Sequence, residues 1–143
     1  MQKISWNRVI LGGLLAGLVI NICEFLVDGL MLGDQWTASL KSLHRPPLDA
    51  SANGAFMVWG FLVGIYALWL YASLRPRLGP GPKTAAFAGI AVWILSALLA
   101  SISAVAMRLF PRRLVAYDLV LTLVEMVAGT VIGAWLYKEP AAT

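Results

Sequence analysis

Four long apolar runs limit what this chain can fold into more than any other feature of it. They cover about 8–32, 53–74, 84–108 and 113–137. A helix crossing the hydrocarbon core of a bilayer needs roughly 20 mostly apolar residues, and each run meets that length. The runs lack the strict alternation of a barrel strand, so they predict helices. Composition agrees. The 143 residues are 60% hydrophobic and 13% charged, against about 45–50% and about 25% in soluble domains. The expected fold is all-α: a polytopic four-transmembrane-helix bundle forming one domain over 1–143. The first run is read as a retained span, because it is too long for a signal peptide and ends without an Ala-x-Ala site.

Four spans put both termini on one side. Lys3, Arg8, Arg75, Arg77, Lys83 and Lys138 fall there. Lys41, Arg45, Arg108, Arg112 and Arg113 fall on the other. The cluster Arg75, Arg77 and Lys83 favours cytoplasmic termini in a cell (inner) membrane. The net charge of +4 belongs to bases at segment ends. There they meet lipid phosphates, and no nucleic-acid partner is expected. Between the first two spans, Trp36, Leu40 and Leu43 recur at helical spacing. They predict a short interfacial helix over 35–44, ended by Pro46-Pro47. The stretch "RPRLGPGPK", 75–83, predicts an irregular turn. Trp6, Trp36, Trp69, Trp135 and Tyr137 fit an aromatic belt. Trp59 and Trp93 lie deeper and are read as packing residues.

The acids raise the question of function. Glu24, Asp28, Asp118 and Glu125 fall inside the spans. A charge at mid-bilayer costs about 2.5–3.5 kcal/mol on insertion scales, so these residues should turn away from lipid. In the first span, Gly13, Gly17, Asn21, Glu24 and Asp28 step by three or four, which keeps them on one helix face. In the fourth, Asp118, Thr122, Glu125, Gly129 and Gly133 do the same. Ser96, Ala100, Ser103 and Met107 give the third span a milder stripe. At 1.5 Å per residue, all four acids share the half of the membrane away from the termini. Arg108, Arg112 and Arg113 flank that half as charge partners. The small ends of both stripes lie in the other half, so that half should be tight and the acidic half open.

Two uses of the acids follow. They can line a polar pocket, reached from the far side, that binds protons, a cation or a cationic solute. Glu24, Glu125, Asp28, Asp118, Asn21 and Thr122 are then the binding residues of a permease-like or solute-binding protein. Alternatively they pair with the arginines and fix helix register, as in a non-catalytic accessory subunit of a larger membrane complex. An enzyme is the third option. No Ser-His-Asp set, phosphate loop, Cys-x-x-Cys or His-Glu-x-x-His occurs, and no catalytic residue, cofactor or metal is expected. His44, the sole histidine, is read as a solvated interfacial residue. Cys23, the sole cysteine, is read as a packing residue.

Gly13-x-x-x-Gly17, Gly60-x-x-x-Gly64 and Gly129-x-x-x-Gly133 allow close helix contact. Three such motifs point to a homo-oligomer. Gly60 and Gly64 are the expected external contact, because the second span has no acidic stripe.

The chain also resembles a family of small bacterial four-helix integral membrane proteins to which no activity is assigned. The similar features are "LGDQW", with Gly33 and Trp36 in Gly-x-x-Trp spacing after an apolar helix, and "LVAYD" opening the last helix after a short basic turn. The resemblance implies a fold and carries no function.

Overall fold

The computed structural model describes residues 4–137; Lys3 and Lys138 lie outside them. The described residues form helices and no strand. Four helices are long and apolar enough to cross a membrane: Trp6–Met31, Ala50–Leu78, Pro82–Ala106 and Arg112–Leu136. They match the four predicted runs to within a few residues. Leu11, Phe25, Leu30, Leu62 and Val124 are among many large apolar side chains left exposed. That surface suits lipid and not water, as expected of a multi-pass integral membrane protein.

Two of the spans are not α-helical throughout. The first begins as α1, Trp6–Glu24, and continues as a π-helical stretch, Phe25–Met31. The third begins as α4, Pro82–Trp93, passes through a π-helical stretch, Ile94–Leu98, and ends as α5, Leu99–Ala106. The other spans are α3, Ala50–Leu78, and α6, Arg112–Leu136. A short helix α2, Gly33–Ser42, follows the first span, close to the predicted 35–44.

Local chemistry sets the ends. The Asp49 carboxylate accepts from Ala52 N–H at 2.8 Å and caps α3. That helix runs past Pro76 to Leu78, so the turn is shorter than the 75–83 predicted. It is confined to Gly79–Gly81, where both glycines have positive φ, and Pro82 then opens α4. α2 and α5 end in a different way. His44 and Arg108 take left-handed conformations with φ of 54° and 56°. The next N–H in each case turns back to a carbonyl five residues earlier, Arg45 to Leu40 and Leu109 to Ala104. Glycine normally fills this position.

α1 packs mainly on α3 and α6, and α4 packs on α6 and then α3. Spans adjacent in sequence are therefore adjacent in space, and the first closes on the last. Glycine makes the central contacts close. A Cβ on Gly17 would lie 2.7 Å from Phe61 Cα, and one on Gly12 would lie 2.7 Å from Gly133 O. Around these contacts Val9, Ala16, Leu68, Ala72, Ala85 and Ala88 form the main core. Tyr137 is only 2% exposed. It stacks edge-on against Tyr71, and the Arg75 guanidinium lies 5.1 Å from its ring. It is a core residue, not the belt residue expected from its position.

The glycine motifs are also reassigned. Gly60 faces Asn21, and Gly64 faces Gly13 and Gly17. Gly129 and Gly133 face Ala16, Ile20 and Gly12. All three motifs thus serve contacts within the chain. The expectation that Gly60 and Gly64 face outwards is wrong, because α1 supplies the small partner residues that they need.

Candidate functional site

The first and fourth spans bring the four acids together, but not on the faces that sequence spacing implied. Gly13, Gly17 and Asn21 point at α3. Asn21 Nδ2 donates to Gly17 O at 2.8 Å and to Met57 O at 3.2 Å. The face of α1 that meets α6 is instead Gly12, Ala16 and Ile20, with Glu24 one turn further on. Spacing of three and four residues allowed either face, and it joined residues that point to different neighbours.

The Asp28 and Asp118 carboxyls lie within hydrogen-bonding reach of each other. Glu24 interacts electrostatically with both, and Glu125 with all three. Glu125 is 4% exposed, and its Oε2 is buried with no hydrogen-bond partner. Thr122 is turned to the third span: it accepts from Trp93 Nε1 at 3.2 Å and donates to Leu119 O. The cluster is therefore Glu24, Asp28, Asp118 and Glu125, with Asn21 and Thr122 engaged elsewhere.

The expected charge partners do not reach it. Arg108, Arg112 and Arg113 are exposed, and among the described residues none of them pairs with these acids. They sit at helix ends, where water and lipid phosphate compete for them. The third-span stripe also dissolves. Ala100, Ser103 and Met107 are exposed, and Ser103 Oγ returns to Ala100 O of its own helix. The π-helical stretch Ile94–Leu98 changes the residues per turn, so 3.6-residue spacing counted across it selects the wrong face.

Sequence reasoning missed two neighbours of the cluster. Trp36 Nε1 donates to Asp28 Oδ1 at 2.9 Å, and its ring meets Phe110 edge-on at 5.2 Å. One tryptophan thus ties α2 to the acids and to the turn before α6. No periodicity crosses the corner at Leu32, so spacing could not show this contact. Cys23 lies close enough to Glu125 to interact with its charge. His44 is exposed at the end of α2.

Chemically, carboxyls this close can share a proton or hold a positive charge between them. Among the described residues, no three His, Cys, Asp or Glu side chains are arranged to hold a metal ion. No protein-family model, no curated protein and no solved structure matches the chain.

Proposed function

We propose that this protein is a small permease-like or solute-binding membrane protein that handles protons or a cationic solute through Glu24 and Glu125. Its four spans form a bundle with α2 in the interface, and Arg75, Arg77 and Lys83 favour termini in the cytoplasm. One observation carries the reading: four carboxyls converge from two helices without a basic partner among the described residues, and Glu125 keeps a buried oxygen with no hydrogen-bond partner among them. Leaving a buried polar group unsatisfied costs about 1–3 kcal/mol, and more for a charge. A purely structural cluster would be expected to recruit an arginine, and three stand nearby on exposed ends. A site that takes up and releases a positive charge must leave that place free. The accessory-subunit reading pairs the acids with arginines and is not carried further, since Arg108, Arg112 and Arg113 are not among the groups that act on them.

Proteoliposomes enclosing a pH-sensitive dye test this. The protein should conduct protons under an imposed pH gradient and membrane potential. Glu24→Gln and Glu125→Gln should each abolish that flux while the thermal melt in detergent stays cooperative. Full flux in both variants sinks the reading. So does a wild-type protein that neither moves protons nor binds tetramethylammonium or tetraphenylphosphonium.

A further inference from the structure

We infer that the Asp28 and Asp118 carboxyls hold one proton between them, carried on Asp118, and that Trp36 is the positioning residue that keeps Asp28 as the carboxylate. As a step in proton handling this rests on the function proposed above, to which it adds the place where the proton rests. The corner after the first span builds the contact. Leu32 N–H reaches back to Val27 O at 2.8 Å, and Trp36 N–H then joins Leu32 O at 3.0 Å. The indole comes back to the end of the first span, where its Nε1 donates to Asp28 Oδ1 at 2.9 Å. The edge-on contact with Phe110 also holds the ring.

These three groups allow few arrangements. An indole N–H only donates, and an ionised carboxyl only accepts. Two carboxylates within hydrogen-bonding reach of each other have no donor between them and repel, so the pair needs a proton. The other groups acting on the pair, Glu24 and Glu125, are acids too. Glu125 Oε2 is itself buried without a hydrogen-bond partner among the described residues. Neither supplies the positive charge that would let both aspartates ionise. A second proton would forfeit the gain from Trp36, since an N–H bonds a carboxylate roughly twice as strongly as a neutral carboxyl. With one proton, the neighbours decide which carboxyl carries it. A hydrogen bond donated from outside favours the ionised form of the group that accepts it. Asp28 has that bond, whereas Asp118 has only Asp28 as a hydrogen-bonding neighbour among the described residues. The O–H therefore belongs to Asp118 and donates to Asp28, which accepts from Trp36 as well.

The test is solid-state carbon NMR of the full chain in lipid bilayers at neutral pH, with the aspartate carboxyl carbons isotopically labelled. Only Asp28, Asp34, Asp49 and Asp118 then report. The signals of Asp28 and Asp118 are identified by their loss in Asp28→Asn and Asp118→Asn. In wild type, Asp118 Cγ should resonate as a carboxylic acid and Asp28 Cγ as a carboxylate. Trp36→Phe keeps a ring against Phe110 and removes the donor. It should move the Asp28 signal towards the acid and the Asp118 signal towards the carboxylate. A Trp36 that serves packing alone would lower the melt and leave both signals in place, which overturns its positioning role. Two acids, two carboxylates or a proton on Asp28 in wild type overturn the whole inference, and this wild-type spectrum decides the matter if Trp36→Phe unfolds. Such a spectrum in a protein whose proton flux is still abolished by Glu125→Gln leaves the proposed function standing. The expected spectrum in a protein that moves no protons supports the shared proton and removes the function.

Discussion

Around Gly12, Gly17, Gly64 and Gly133, the backbones of the first, second and fourth spans approach with no room for a side chain between them. Around Glu24, Asp28 and Asp118, the first and fourth spans meet through carboxyl groups. Both π-helical stretches and α5 bury no residue fully. One half of the molecule is held by dispersion forces between close-packed small residues, which serve in a membrane where the hydrophobic effect does not drive helices together. The other half carries polar groups that want partners and do not all have them. The tight half can act as a fixed frame, so the acidic half does not need to be stable on its own account.

The sharpest way to break this contrast is to insert bulk in each half of one helix. Gly64→Leu forces α1 and α3 apart and should cost about 3 kcal/mol or more, read as loss of the cooperative melt in detergent. Gly54→Leu is the same change ten residues earlier in α3, where nothing lies within 4 Å of the site. It should leave the melting temperature unchanged. Equal damage from both would erase the distinction between the halves.

Removing Trp36 should matter next. Trp36→Phe keeps the ring against Phe110 but loses the N–H to Asp28. The expected cost is about 1.5–3 kcal/mol if Asp28 is ionised and about 1 kcal/mol if it is not. Hydrogen exchange in α2 should rise well above that in α1. Glu125→Gln should go the other way and raise stability by about 1 kcal/mol, measured in the same melts, while abolishing proton flux. Stability given up for function is expected in the acidic half and not in the tight one. The smallest effect should come from Arg108→Gly. It relieves a left-handed non-glycine residue and should stabilise the end of the third span by about 1 kcal/mol or less.

Much of the fold was legible because its signal is simple. Runs of apolar residues give span number and boundaries almost without reference to neighbours. The pairing of the spans was legible only in part. Gly129 and Gly133 lie close against the first span, but spacing alone puts Gly13, Gly17 and Asn21 on the acidic face, and they face α3 instead. A helix has two small-residue rows here, 12–16–20 and 13–17–21, and only the partner helix tells them apart. The four acids could be brought together from depth arguments. The arginines could not be assigned, since charge at a helix end can face the bundle, lipid or water with similar ease. The Trp36 contact and the facing of the third span lay beyond reach for another reason. Both arise where the chain leaves regular geometry, at the corner after Met31 and at the π-helical stretch Ile94–Leu98.

Those two stretches also bear on motion. A π turn holds one residue more than the α turn that it replaces, and one residue corresponds to about 100° of rotation about the helix axis. Sliding that surplus along a span turns the intervening side chains without changing where either end is anchored. In the first span Asp28 sits inside such a stretch, and in the third so does Ser96. Where the surplus residue sits therefore sets which way Asp28 and Ser96 face relative to the glycine-packed frame.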